Sequence, residues 1–193
     1  MMGCWIASIT RSMSNVVRNS TSKPVPLRAS STAKASRARK KRACIDPHGF
    51  DAGKLINGKK RHVLVDTQGL LLHGLITPAS VQDRDGGIAL LSNLFGQFPF
   101  LKKLFADSAY QGPVFHTALA SILPNLETEI VKRSDAVRGF VAVPKRWIVE
   151  RSIAWLNRRR RLAKDWENLN LSAFIFLRLA SIRLMLRKLC NPG

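Results

Sequence analysis

Apolar and polar positions divide the chain into a run of short elements beginning near residue 62. From His62 to Pro78 the string HVLVDTQGLLLHGLITP alternates and then turns apolar, with Thr67, Gln68 and Gly69 between its halves, so the pattern predicts a β-hairpin. Val81 to Phe95 opens with Asp83 and Asp85 and continues with Ile88, Leu91, Leu94 and Phe95 at helical spacing. Phe98 to Ala106 then reads as a strand ending at Asp107, and Gly112 and Pro113 introduce a second short helix through Ser121. Glu129 to Lys132 is a short strand. A long helix is expected from Pro144 to Lys164, with Ile148, Ile153, Trp155, Leu156 and Leu162 as its apolar side. The final helix, Ser172 to Leu189, carries Phe174, Ile175, Ile182, Met185 and Leu189 on one side. This order defines a mixed α/β domain.

Composition sharpens that picture. The 193 residues are 46% apolar, enough for one cored domain and unlike a disordered chain. Thirty-two Lys and Arg against twelve Asp and Glu give a net charge of +20, which points to a polyanionic partner, DNA or RNA first. Residues 1–45 hold ten of these cations and no acid, whereas ordinary usage would place about five carboxylates there. The chain is therefore read as a basic, acid-free and disordered segment, 1–45, followed by a folded domain, 46–190. Cys4, Cys44 and Cys190 are too few for a disulfide framework and fit a reducing cytoplasm. Nothing apolar is long enough to span a membrane.

Two acids stand where chemistry could use them. Asp107 closes a predicted strand in Ala-Asp-Ser-Ala-Tyr-Gln-Gly, the position from which α/β proteins reach ligands; a solvated turn aspartate is the plain alternative. Glu150 lies among apolar residues with Arg146 one turn earlier and Arg151 beside it; its plain alternative is a helix ion pair with Arg146. Carboxylates on separate elements of a basic protein suit metal-dependent phosphoryl transfer, with hard oxygen ligands for Mg²⁺ and cationic walls for the strand being cut. Arg158, Arg159, Arg160, Arg161 and Lys164 form a cluster suited to phosphates.

The strings GFDAGKLINGKKRHVLVDTQGLLL, PASVQDRDGG, FPFLKKLFADSAYQGP, IVKRSD, GFVAVPKRWIVERSIAWLNRRRRLAKDWE and IRLMLRKL follow one another as in the bacterial insertion-sequence DDE transposases. The resemblance runs from Gly49 to Leu189. It implies a ribonuclease-H-like fold with a mixed five-strand sheet, and DNA cleavage and strand transfer with two Mg²⁺ or Mn²⁺ ions held by Asp, Asp and Glu. By position, Asp107 resembles the second acid and Glu150 the third, and both are the implied catalytic and metal-binding residues. Arg146 matches the family's Arg-x-x-x-Glu element, and Arg151 with the arginine run implies DNA contacts. Val143 replaces the expected tyrosine, and the basic position after the glutamate falls on Asn157 with Arg158 adjacent. Transposon-end and target DNA are the implied partners, a homodimer a further one, and the bacterial cytoplasm around the nucleoid the implied location.

The family's first acid lies on its opening strand, in a string similar to Ile-Ile-Asp-Ser-Gln-Ser-Ile-Lys. This chain has none. Asp46 precedes Pro47, which argues against a central strand, and reads as a linker residue; Asp66 matches a family position outside the three acids. Codons compatible with Ala29 to Arg37, read from the third base of the first, spell that missing string, and the same offset over Trp5 to Thr10 spells Asp-Arg-Ile-Asn-His, again similar to the family. Residues up to about Ala38 are thus read as translated out of frame, in preference to a transit peptide or a DNA-binding arm, in a degenerate copy with its first strand lost or altered and weak or absent metal binding. A non-catalytic basic nucleic-acid binder is the alternative.

Overall fold

The computed structural model describes residues 25–32, 45–94, 97–98, 101–131, 144–164 and 166–191. The rest of the acid-free segment, the ends of the expected elements at Phe95 and Lys132, and the side chain of Arg146 lie outside the described residues. The strands are β1 (Val25–Thr32), β2 (Gly49–Asp51), β3 (Ile56–Val65), β4 (Leu71–Pro78), β5 (Lys103–Asp107) and β6 (Glu127–Val131). The helices are α1 (Asp83–Ser92), α2 (Pro113–Ile122), α3 (Pro144–Asn157), α4 (Arg160–Ala163) and α5 (Asn170–Cys190), with one 3-10 turn at Ser108–Tyr110.

The main sheet has the order β4-β3-β1-β5-β6, and β2 adds to the start of β3. Strand β1 pairs antiparallel with β3 and parallel with β5, and β5 is parallel to β6. Because β3 is antiparallel to both β1 and β4, the C-terminal ends of β1 and β4 share one edge of the sheet with the start of β3; Lys59 is level with Thr32 on one side and Pro78 on the other. The expected hairpin is β3–β4. Asp66 closes its turn: its Oδ1 accepts from Gln68 N at 2.9 Å and Leu70 N at 2.8 Å, while Gly69 takes the left-handed φ of 83°.

Period-two geometry sends alternate residues of β3 into different layers. Leu64 joins Leu90, Leu91, Leu104 and Phe115 in a core beneath α1 and α2, whereas Val63 and Val65 join Val149, Leu156, Leu162 and Leu177 beneath α3, α4 and α5. Leu64, Leu90, Leu91 and Phe115 are fully buried, each contributing about 1.5–3 kcal/mol.

Three expectations need correction. Strand β1 lies inside the segment read as disordered, so ordered structure begins before residue 46. The slot between β3 and β5 exposes backbone donors and acceptors that any extended chain can satisfy, and Val25–Thr32 satisfies them without an acid. The long helix is two helices: Arg159 is extended (φ −85°, ψ 124°), and Arg61 Nη1 from β3 holds the break by donating to Asn157 Oδ1 at 3.3 Å and Leu162 O at 2.8 Å. Asp46 is no bare linker residue, since its Oδ2 accepts from Asn170 N at 2.5 Å at the start of α5, where a carboxylate complements the helix dipole.

Helix α5 turns a partly different face inward: Met185 is buried and Phe174 packs on the core as expected, but the face is rotated. Ala173, Leu177, Ala180, Ser181 and Met185 are buried, while Ile175 and Leu189 are exposed. Gly74 permits that packing, because a Cβ there would come 2.9 Å from Leu177 Cδ2.

Candidate functional site

Strand β5 ends on Asp107 as the sequence predicts. Its Oδ1 accepts from Ala109 N at 2.8 Å and lies 3.4 Å from Ser108 Oγ, so the carboxylate caps the 3-10 turn. Two donors on Oδ1 leave Oδ2 outside these contacts. The residue is half-buried, as a ligand reaching past a strand end requires.

Glu150 is exposed on α3, the helix that packs across β1, β3 and β5. The helix is fixed at the hairpin turn by Glu150's neighbours: Ser152 Oγ donates to Gly69 O at 2.7 Å and Arg151 Nη2 to Gln68 O at 3.2 Å. Arg151 is further held between two indoles, 4.3 Å from the Trp147 centroid and 4.7 Å from that of Trp155, the i±4 positions of the helix. It is a structural clamp as well as a cation.

Arg158, Arg160, Arg161 and Lys164 are exposed around the α3–α4 break, and Arg159 is half-buried. Arg161 is partly engaged, 3.0 Å from Glu167 Oε1 and 5.1 Å from the Phe176 ring, and Lys164 lies 5.6 Å from the Trp166 ring. The expected basic cluster therefore exists on the surface, with Arg161 and Lys164 held in place by neighbours.

The structure brings Asp107's strand and Glu150's helix into contact. Among the described residues, however, no group of three or more His, Cys, Asp and Glu side chains could hold a metal ion. The central strand β1, VPLRASST, carries no carboxylate. Among the described residues, the donor set does not fit a two-ion site, which needs several oxygen ligands converging on each cation.

Sequence reasoning missed a second constellation. Lys59, Lys60, Arg61 and His62 are consecutive and all buried, a run whose charge hides its position in the sheet. Alternation sorts them. Lys59 Nζ donates to Glu167 O at 3.1 Å and Asn168 O at 2.7 Å on the α5 side, as Arg61 does to Leu162 O. On the α1 side Lys60 Nζ meets Asp83 Oδ1 at 2.8 Å, Asp51 Oδ2 at 3.3 Å and Val81 O at 2.7 Å, and His62 packs against Gly86. Burial pushes the Asp51 carboxyl up, but the Lys60 hydrogen bond and charge, with Lys54, outweigh it and hold Asp51 below the usual range. Burial takes His62 down to about 4; Asp83 opposes this, while Lys60 and Lys54 add to it. Nothing local in the sequence marks this set, because its contacts are made across the fold.

The sheet is mixed, antiparallel on one side of β1 and parallel on the other, with an acid closing the parallel strand beside β1 and a basic helical layer packed against it. The family model for the transposase DDE domain matches residues 23–185, and the chain belongs to that family. No curated protein matches it. Membership supports transposase function and DNA recombination, implies DNA as partner, and brings with it the family's general use of divalent metals. No described helix is long and apolar enough to cross a membrane.

Proposed function

We propose that this chain is the catalytic-domain portion of an insertion-sequence DDE transposase with a ribonuclease-H-like sheet, in a degenerate form that binds DNA and does not transfer strands by itself. The reading is carried by one observation: β1 fills the slot beside β5, the strand ending in Asp107, with a sequence that holds no Asp or Glu. The strand order β4-β3-β1-β5-β6 supports the fold assignment, since it sets Asp107 next to the strand on which the family carries its first acid. Asp107 and Glu150 remain the positions of the second and third acids. Phosphate gripping falls to Arg146, Arg151, Arg158, Arg159, Arg160, Arg161 and Lys164.

Purified full-length chain tests this directly. Binding to duplex DNA should weaken steeply with salt, each phosphate contact contributing about −0.9 to the slope of log K against log salt, and Mg²⁺ or Mn²⁺ should leave that slope and the DNA intact. Mg²⁺-dependent cleavage of DNA by the unaltered chain, lost in Asp107→Ala, would refute the degenerate reading and retain the site. Sequencing the first hundred-odd bases of the gene tests the out-of-frame origin, because codons that cannot yield the offset peptide exclude it.

A further inference from the structure

A cavity of about 590 Å³ opens at the edge where β1 and β4 end and β3 begins, lined by β2 and the residues after it, Lys60, Ala79–Arg84 and Ala109. Its size suits one small ligand or one unit of a polymer. Gly49 shapes the wall: a Cβ there would come 2.5 Å from Ser80 N, so β2 lies directly against the chain leaving β4.

The lining is chemically divided. Deep in the wall, Lys60 is 4% exposed and satisfied by Asp51, Asp83 and Val81 O, so both carboxylates are already engaged by a cation. An occupant meets instead the ring of Phe50, 54% exposed, and the rim cations Lys54 and Arg84, whose side chains are 43% and 31% exposed and whose ion pairs are long, 3.9 Å to Asp51 Oδ2 and 3.4 Å to Asp85 Oδ1. One open aromatic ring with flanking cations is the combination that stacks a base and holds its phosphate. The third rim is Ala109, whose N–H is bound to Asp107. The cavity therefore borders the turn capped by the family's second acid.

We infer that this cavity receives one unpaired nucleotide of the bound DNA, its base stacked on Phe50 and its phosphate facing Lys54 and Arg84, beside the turn capped by Asp107. The inference rests on the DNA-binding reading above and names the part of the substrate that binds outside the carboxylate site. A fully paired base cannot enter without leaving its stack, so duplex ends with a single-stranded overhang are the preferred occupants.

The test uses the full chain and two probes: a blunt duplex, and the same duplex with a single-stranded overhang carrying 5-iodouracil. The expected result is tighter binding of the overhang probe, and a photocrosslink mapped by mass spectrometry to the peptide containing Phe50. Phe50→Ala should lower overhang affinity about tenfold and blunt-duplex affinity little, and Phe50→Trp should restore it. Circular dichroism of each variant separates loss of stacking from loss of fold. If both probes bind equally and crosslinks fall elsewhere, the nucleotide cavity is refuted while DNA binding stands. If neither probe binds in a salt-dependent way, both readings are overturned.

Discussion

Strands β1 and β3 lie side by side in the sheet and contribute to it in opposite ways. Strand β3 is specified residue by residue: Lys59 and Arg61 tie it to the α4–α5 side, Lys60 and His62 to the α1 side, and Val63, Leu64 and Val65 to two separate cores. Strand β1, VPLRASST, has no acid and includes Pro26, which has no N–H to give to a ladder. It nevertheless pairs with both neighbours, over six residues of β3 and three of β5. The contrast teaches that backbone pairing alone can seat a strand without acids in this slot, while β3 is held by its side chains.

The sharpest way to break this comparison is Lys60→Met. It leaves Asp51 and Asp83 without their shared cation in a largely buried site and should cost about 3 kcal/mol in urea unfolding; a loss below about 0.5 kcal/mol would show that β3 is no more specific than β1. The second measurement rebuilds β1. Replacing residues 29–36 with Ile-Ile-Asp-Ser-Gln-Ser-Ile-Lys should raise Mn²⁺-dependent DNA nicking at least about 100-fold, as restoring a metal ligand would, and Asn in place of its Asp should abolish the gain. Equal activity with Asp and Asn would sever the link between that strand and the chemistry.

Gly86→Ala comes next. Its Cβ would overlap the fully buried His62 ring, so the substitution should lower stability by about 2 kcal/mol. The pH dependence of unfolding gives an effect that builds gradually, unit by unit, and is the most diagnostic. His62 and His73 are each held down to about 4 by burial, with Arg178 adding to the effect on His73. Between about 6.5 and 4 the unfolded chain binds protons that the folded chain refuses, so stability is full above 6.5 and falls with acid, by at most about 1.4 kcal/mol per pH unit for each histidine. Asp66, raised by burial despite its backbone donors, works the other way: the folded chain takes up its proton first, so acid partly offsets the loss. His62→Asn should flatten the acid limb; an unchanged slope would remove His62 from the account.

Much of the fold was legible because periodicity is a local signal. The hairpin, α1, the strand ending in Asp107 and the helix carrying Glu150 all follow from apolar spacing and turn residues within a few positions of one another. What escaped was non-local. Val25–Thr32 looks like nothing by itself and becomes a strand only because β3 and β5 leave a gap. The buried contacts of Lys59 to His62 had no local mark, since acceptors for Lys59 lie more than a hundred residues away. The break at Arg158–Arg159 depends on Arg61, and the inward face of α5 on Gly74, neither of which a helical wheel contains. For the site, Asp107 and Glu150 stood out by context, whereas the clamp of Trp147, Arg151 and Trp155 and the engagement of Asp51 and Asp83 by Lys60 required the fold.

The tie from Arg61 to the α3–α4 break places the arginine cluster and the Lys60 cavity on opposite faces of a single three-residue stretch of β3. Residues 59–61 belong to one continuous strand. Nucleic acid grasped at both sites would be measured against one rigid ruler, fixing the distance between them to the thickness of the sheet.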